Sequence, residues 1–174
     1  MKRILIAEQN ASVSTLLVHY AAHAGYEPHV CDSVTGAFPL AQSLCPEISI
    51  IDVMLTDGLG YELVRAIRKH PNLYKTSILM TCIGGDARDI EYAIQEGSDD
   101  FLPQPFIESD FSKKLGALEN GQRLSAERCP NTGFPRRLNG LNREATHLIL
   151  RETDFALCYV IPRGLTELRQ TRQI

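Results

Sequence analysis

The sequence predicts an α/β fold in which five parallel strands form one doubly wound sheet covered by helices on both faces. Short apolar segments alternate five times with longer segments whose apolar residues recur at helical spacing. Strands that alternate with helices pair in parallel, because each helix carries the chain back to the starting edge of the sheet. Gly25, Pro71 and Gly97 follow helical segments, and residues of these types end helices.

The five predicted strands are the most apolar stretches of the first 120 residues. They cover residues 3–7, 29–31, 48–53, 77–81 and 100–102. The five predicted helices each have one apolar face, and they cover residues 11–24, 33–44, 58–69, 86–95 and 107–118. The second helix contains Pro39, which disfavours a helix interior. We expect Pro103 to Pro105 to form a turn after the last strand.

A change in charge near residue 120 predicts a domain boundary. Residues 1–120 contain 9 Lys and Arg against 16 Asp and Glu, a net charge of −7, whereas residues 121–174 contain 9 Arg against 5 acids, a net charge of +4. We therefore expect a domain at 1–120, a linker rich in Arg, Asn, Gly and Pro at 121–135, and a helix–strand extension at 136–174. The extension is predicted to contain a helix over 136–151 and a strand over 155–161.

Composition argues against several classes of protein. A hydrophobic fraction of 44% with 22% charged residues indicates a globular core and not a disordered chain. No apolar run approaches the ~20 residues that a membrane span needs, and we expect a cytoplasmic protein without membrane contact. The cysteines form no CxxC pair, so neither a zinc site nor a disulfide framework is predicted. The arginines of the extension are not interleaved with aromatic residues, and we do not expect contact with nucleic acid.

Polar residues stand at the carboxyl ends of four predicted strands, where a buried sheet has no structural need of them. These residues are Glu8, Asp52, Thr81 and Gln104. In open parallel sheets, ligands bind in the crevice at the carboxyl ends of the strands. We therefore expect a functional site at this edge of the sheet.

Four segments carry a resemblance to a known family. They are ILIAEQN at 4–10, IDVMLTDG at 51–58, ILMTC at 78–82 and DFLPQPF at 100–106. In this order and at this spacing they resemble the receiver domain of bacterial response regulators, the proteins of two-component phosphorelay signalling. The resemblance covers about two-thirds of the chain and implies a flavodoxin-like sheet, here followed by the helix–strand extension.

The resemblance also implies roles for particular residues. Asp52 stands in the phosphoacceptor position, which receives a phosphoryl group from a histidine kinase or a phosphotransfer protein. A Mg²⁺ ion is implied, held by Glu8, Asp52 and the backbone carbonyl of Met54. Thr81 and Phe101 match the residues that read the phosphoryl group and carry the switch to the face formed by the fourth helix, fifth strand and fifth helix. A homodimer through that face is a further implication.

Two residues depart from the family pattern at costly positions. Gln9 replaces one of two expected carboxylates, and Gln104 replaces the lysine that pairs with the phosphoryl group. Each change is expected to cost about 1.5–3 kcal/mol, the usual range for hydrogen bonds to charged groups. We therefore expect Mg²⁺ binding to be weak or absent. Thr56 replaces a common proline, and the bond before Pro105 is usually cis in the family.

The extension resembles the start of a diguanylate cyclase (GGDEF) domain at residues 129–135 and 155–160. Where that family places metal-binding aspartates, this chain has Ile161 and Arg163, and the signature loop is absent. The resemblance therefore implies a truncated or degenerate GGDEF-like start, and no cyclase activity is expected. The chain is expected to accept a phosphoryl group at most, and not to be an enzyme.

Three functions remain open from the sequence. The first is a phosphorylated receiver with a weakened metal and phosphoryl site, in which Asp52 accepts the phosphoryl group. The second is an atypical receiver that works as a protein–protein interaction module without phosphorylation. The third is the regulatory part of a diguanylate cyclase-like protein. Asp57 is expected to be a loop acid and not a ligand.

Overall fold

The computed structural model describes residues 2–85 and 87–121. The strands are β1 (Lys2–Ala7), β2 (Tyr26–Cys31), β3 (Ile48–Asp52), β4 (Met54–Leu55), β5 (Gly58–Leu59), β6 (Ser77–Ile83) and β7 (Asp100–Gln104). The helices are α1 (Ala11–His23), α2 (Val34–Leu44), α3 (Gly60–Lys69), α4 (Ala87–Glu96) and α5 (Glu108–Glu119). The linker and extension predicted at 121–135 and 136–174 lie outside the described residues, apart from residue 121.

Five of these strands form one parallel sheet in the order β2-β1-β3-β6-β7. Its central strand, β3, is buried along its whole length. Successive side chains of a strand point to opposite faces, so each strand contributes to two separate apolar clusters. The predicted flavodoxin-like, doubly wound sheet is confirmed.

Helices cover both faces of the sheet. On one face α1 and α5 pack on alternate residues of the strands, with Leu17 and Phe111 fully buried. On the other face α2, α3 and α4 pack on the remaining strand residues, with Leu63 and Ile67 fully buried. The apolar faces predicted from helical spacing are therefore the faces that form the core.

Both edge strands are longer than the sequence predicted, and both contain a proline. β2 begins at Tyr26 and includes Pro28, whereas the prediction began at residue 29. β7 includes Pro103 and ends at Gln104, so the turn predicted at 103–105 was wrong for these two residues. An edge strand pairs on one side only, and a proline there need not remove a hydrogen bond from the sheet.

The segment after β3 was also predicted differently. A two-stranded antiparallel ribbon, β4 with β5, occupies residues 54–59, and α3 begins at Gly60 instead of residue 58. Apolar spacing did not predict this ribbon, because each of its strands has only two residues and is too short to show a periodic pattern. Within the described part of the chain, no helix is both long enough and apolar enough to cross a membrane.

Candidate functional site

Glu8, Asp52, Thr81 and Gln104 come together at the carboxyl edge of the sheet, although Thr81 lies inside β6, which runs on to Ile83 instead of ending at Thr81 as predicted. Glu8 directly follows β1, and Asp52 and Gln104 are the last residues of β3 and β7. Thr81 in β6 pairs in register with Asp52 in β3. We call these four residues the strand-end cluster. The polar residues that the sequence placed at strand ends are therefore neighbours in space.

Asp52 is buried, and both of its carboxylate oxygens accept hydrogen bonds. The hydroxyl of Thr81 donates to Oδ1 at 3.2 Å, and the backbone N–H of Met54 donates to Oδ2 at 3.0 Å. The strand pairing holds Thr81, and the start of β4 holds the N–H of Met54. The carboxylate is thus oriented from two sides by groups that the backbone positions.

The side-chain amide of Gln104 lies between the two carboxylates of the strand-end cluster. Its Nε2 donates to Glu8 Oε2 and to Asp52 Oδ1, each at 3.4 Å. The other oxygen of Glu8 accepts the backbone N–H of Asn10 at 2.8 Å. An amide nitrogen has two protons, so it can serve both acceptors, but it brings no charge to balance theirs. Two acids therefore share one neutral donor.

Burial raises the pKa of both carboxyl groups above their ordinary values. For Glu8 the largest cause is desolvation, and the nearby charge of Asp52 adds to it, while hydrogen bonds from Asn10 and Gln104 act in the opposite direction. For Asp52 desolvation again comes first, opposed by hydrogen bonds from Met54, Thr81 and Val53. The strand-end cluster thus holds two acids whose charged forms are disfavoured.

Phe101 belongs to the core under the α2–α4 face and is 2% exposed. Its ring packs against the loop after β6, where Gly85 has a φ of +81°. A Cβ at Gly85 would lie 2.8 Å from Cε1 of the Phe101 ring. The loop can approach the ring this closely because Gly85 has no side chain.

The remaining predicted site residues lie around the strand-end cluster. Gln9 is exposed to solvent. Met54 contributes its N–H to Asp52, and its side chain is 54% exposed. The Gln104–Pro105 peptide bond is cis. The roles predicted for Gln9 and for the carbonyl of Met54 stay predictions.

Gly60 is a residue of the site that the sequence reasoning missed. It is the first residue of α3, and its N–H donates to the carbonyl of Val53 at 2.9 Å. A Cβ on Gly60 would lie 2.0 Å from the carbonyl oxygen of Asp52 and 2.8 Å from Ile51 Cγ2. The helix can start this close to the end of β3 only with glycine. A glycine at a strand-to-helix junction was the available signal.

Thr56 and Asp57 tie the loop after β3 to the start of α2. The N–H and the hydroxyl of Thr56 both donate to the carbonyl of Asp32, each at 2.9 Å. The Asp57 carboxylate accepts the N–H groups of Val34 and Thr35 and the hydroxyl of Thr35. These hydrogen bonds hold the pKa of Asp57 below its usual range, and the bond from the Thr35 hydroxyl has the largest effect. Asp57 therefore acts as the cap of a helix that its own N-cap residue leaves uncapped.

The side chains of the strand-end cluster match the ligands that a Mg²⁺ ion prefers only in part. Mg²⁺ prefers oxygen ligands and is often bound through one or two carboxylates. Glu8 and Asp52 provide two carboxylates, but the Gln104 amide already donates to one oxygen of each. In residues 2–85 and 87–121, no group of three or more His, Cys, Asp or Glu is arranged to hold a metal ion.

Comparison with known proteins shows which family this chain resembles. The family model for the response regulator receiver domain matches residues 4–116. The transcriptional regulatory protein GltR of Pseudomonas aeruginosa is 32% identical over 120 residues, which cover 67% of this chain and 48% of GltR. The chain therefore spans about half the length of this relative.

Two further matches extend the comparison. The phosphate regulon transcriptional regulatory protein PhoB of Rhizobium meliloti is 24% identical over 163 residues, which cover 90% of this chain and 71% of PhoB. The solved structure of chemotaxis protein CheY4 of Vibrio cholerae superposes with a TM-score of 0.63 at 25% identity, covering 67% of this chain and 97% of CheY4. By sequence and by fold, the chain belongs to the response regulator receiver domain family of two-component signalling.

Proposed function

We propose that Asp52 is the phosphoacceptor of this receiver and that a histidine kinase or phosphotransfer protein is its donor. The observation that carries the proposal is the position of Asp52 at the end of the central strand, with both oxygens oriented by Thr81 and by the N–H of Met54. Glu8 is the second acid of the site. The chain is proposed to accept a phosphoryl group and to catalyse no reaction of its own.

The proposed step is an in-line transfer to the carboxylate. One oxygen of Asp52 forms a bond to phosphorus, while the bond from phosphorus to the donor's imidazole nitrogen breaks and its electron pair stays on that nitrogen. The product is an acyl phosphate on Asp52. Thr81, whose hydroxyl already reaches Asp52, is placed to donate to an oxygen of the attached group. Gln104 can donate to the same group, but without the charge of a lysine.

A weakened metal site is part of the proposal. Glu8, Asp52 and the carbonyl of Met54 would hold Mg²⁺, which when bound offsets the negative charge of the incoming phosphoryl oxygens. Charged Asp52 is the nucleophile, whereas burial favours its neutral form. The hydrogen bonds from Met54 and Thr81 counteract that preference. We therefore propose slow phosphorylation with a strong dependence on Mg²⁺ concentration.

The direct test is the intact mass of the full chain after incubation with acetyl phosphate and Mg²⁺. We expect a partial gain of one phosphoryl mass that is absent in Asp52→Asn. Asp57→Asn is the matched control, because it changes the aspartate of the loop after β3, outside the strand-end cluster, and it should keep the gain. Loss of the gain in Asp57→Asn with retention in Asp52→Asn would contradict the assignment.

A second function is favoured by the Gln104 amide. It donates to both carboxylates at once, so the unmodified site holds a donor where a phosphoryl-binding site would have a cation. On this alternative, the chain is a receiver that binds its partner without phosphorylation. No mass gain in folded wild-type protein, together with partner binding that Asp52→Asn leaves unchanged, would favour it.

Two further proposals concern the unit of the chain that binds partners and its self-association. We propose the domain at 1–120 as the unit that binds them, with the linker and extension following it. Self-association through α4, β7 and α5 is proposed because Tyr92 of α4 is 46% exposed. Sedimentation of the wild type and of Tyr92→Ser tests it.

GltR and PhoB are named as transcriptional regulatory proteins. The expected cytoplasmic location and absence of nucleic-acid contact stay predictions, as does the absence of cyclase activity.

A further inference from the structure

Two histidines stack on the exposed side of α1, away from the strand-end cluster. His19 and His23 are four residues apart, so they lie one above the other on the helix surface. Their ring centroids are 4.0 Å apart with an angle of 54° between the ring planes. Both residues are exposed, and the His23 side chain is 58% accessible to solvent. The pair is thus close together and open to a small ion.

A carboxylate from another helix orients one of the two rings. Oε1 of Glu108, the first residue of α5, lies 3.2 Å from Nδ1 of His23. An ionised carboxylate can only accept a hydrogen bond, so Nδ1 of His23 must carry the proton. In neutral His23 this leaves the lone pair on Nε2, the nitrogen that remains for a ligand. Histidines that bind metals usually donate their second N–H to a carboxylate in this way.

We propose that His19 and His23 chelate a borderline divalent cation of the Zn²⁺, Ni²⁺ and Cu²⁺ class, with Glu108 as the orienting partner. Imidazole nitrogen suits these ions, whereas Mg²⁺ prefers oxygen ligands. Water completes the coordination, because the pair supplies two ligands. Binding links α1 to the first turn of α5, because Glu108 orients the His23 ring that binds the metal.

The first test is calorimetric titration of the full chain with Ni²⁺ and with Zn²⁺. His19→Gln and His23→Gln should each remove the site, and the double variant should lose one bound ion. Glu108→Gln should weaken binding by about tenfold, the lower end of the effect of losing such an orienting partner. His70→Gln, which removes a half-buried imidazole from the end of α3, should leave the titration unchanged.

The second test locates the ion directly. Ni²⁺ is paramagnetic, and we expect it to broaden the backbone amide resonances of the last turn of α1 and the first turn of α5. The double variant His19→Gln/His23→Gln should lose this broadening while keeping its dispersed spectrum, which reports that it is folded. Broadening centred elsewhere, or an unchanged bound ion in the double variant, would overturn the proposal. Unchanged affinity in Glu108→Gln would overturn the orienting role.

Discussion

Replacing Asp52 by asparagine is expected to stabilise the fold at neutral pH. Glu8 and Asp52 are both buried, and burial raises the pKa of each. Glu8 Oε2 and Asp52 Oδ1 each lie 3.4 Å from Nε2 of Gln104, so the two oxygens are no more than twice that distance, about 6.8 Å, apart. Two unit charges at that separation repel by about 2 kcal/mol at an effective dielectric constant of 20.

Part of that repulsion is offset by weaker hydrogen bonds in the variant. The amide oxygen of asparagine is neutral, and it accepts weaker hydrogen bonds from Thr81 and Met54 than the carboxylate of Asp52 does. We therefore expect a net gain of about 1–2 kcal/mol in the free energy of unfolding at pH 7. For a chain of this size the gain corresponds to a rise in Tm of about 2–8 °C.

The sign of the pH dependence follows from the raised pKa values. Because the folded state binds these protons more tightly than the unfolded state, the contribution of Glu8 and Asp52 to wild-type stability falls as the pH rises from about 4 through their raised pKa values. The advantage of Asp52→Asn should therefore be largest at neutral pH and shrink toward pH 4. Urea unfolding of both proteins at pH 7.5 and at pH 4 measures it.

Asp57→Asn is the control, because the same substitution should have the opposite effect. The pKa of Asp57 is lowered by its hydrogen bonds to the start of α2, so its charge contributes stability above its unfolded pKa, and that contribution is lost as the pH falls through the lowered value. This variant should be less stable than the wild type at pH 7.5. A loss of stability in Asp52→Asn at pH 7.5, or an equal gain at both pH values, would refute the reasoning.

Three further predictions concern other parts of the site. Gln9→Asp with Gln104→Lys should strengthen Mg²⁺ binding and phosphoryl retention by about tenfold or more, because a charge-assisted contact is stronger than a neutral one by ~1.5 kcal/mol. Mg²⁺ titration and the rate of phosphoryl loss measure the two effects, and unchanged values would contradict the prediction. Thr56→Pro should lower the free energy of unfolding by about 1–3 kcal/mol in urea melts, because it removes two hydrogen bonds; an unchanged stability would contradict it. Gly60→Ala should lower the free energy of unfolding by about 3 kcal/mol or more, because the added Cβ would overpack the site. Gly116→Ala, with open space around the added Cβ, should raise the free energy of unfolding by about 0.5–1 kcal/mol. Equal effects of the two variants would contradict this reasoning.

The convergence of the strand-end cluster was predictable because it depends on topology alone. In a parallel sheet every strand ends at the same edge, so Glu8, Asp52 and Gln104 had to meet once the five strands were recognised. The strand register places Thr81 beside Asp52, because these two residues pair directly between β6 and β3. The residue types and the order of strands therefore carried the site without knowledge of any side-chain position.

The hydrogen bonds that hold the site were not predictable in the same way. Asp57 was expected to be a loop acid, but it caps α2, which begins 23 residues earlier in the chain. Thr56 was noted in the sequence only as the replacement of a common proline, but its N–H, which a proline lacks, donates to the carbonyl of Asp32. Gly60 was not singled out, although it borders Asp52. The contacts of Asp57 and Thr56 join segments distant in sequence, and apolar spacing carries no information about any of these three residues.

The prolines of the two outer strands limit how this protein can assemble. β2 and β7 are the only strands of the described five-stranded sheet with an unpaired side, and each contains a residue without an N–H, Pro28 and Pro103. A strand arriving from another chain, or from the segment predicted at 155–161, would meet an interrupted row of donors. Growth of the sheet by β-augmentation is therefore disfavoured at both ends. In the described part of the chain, recognition is left to the helices and to the loops around the strand ends, and the two edges of this sheet are protected from edge-to-edge pairing.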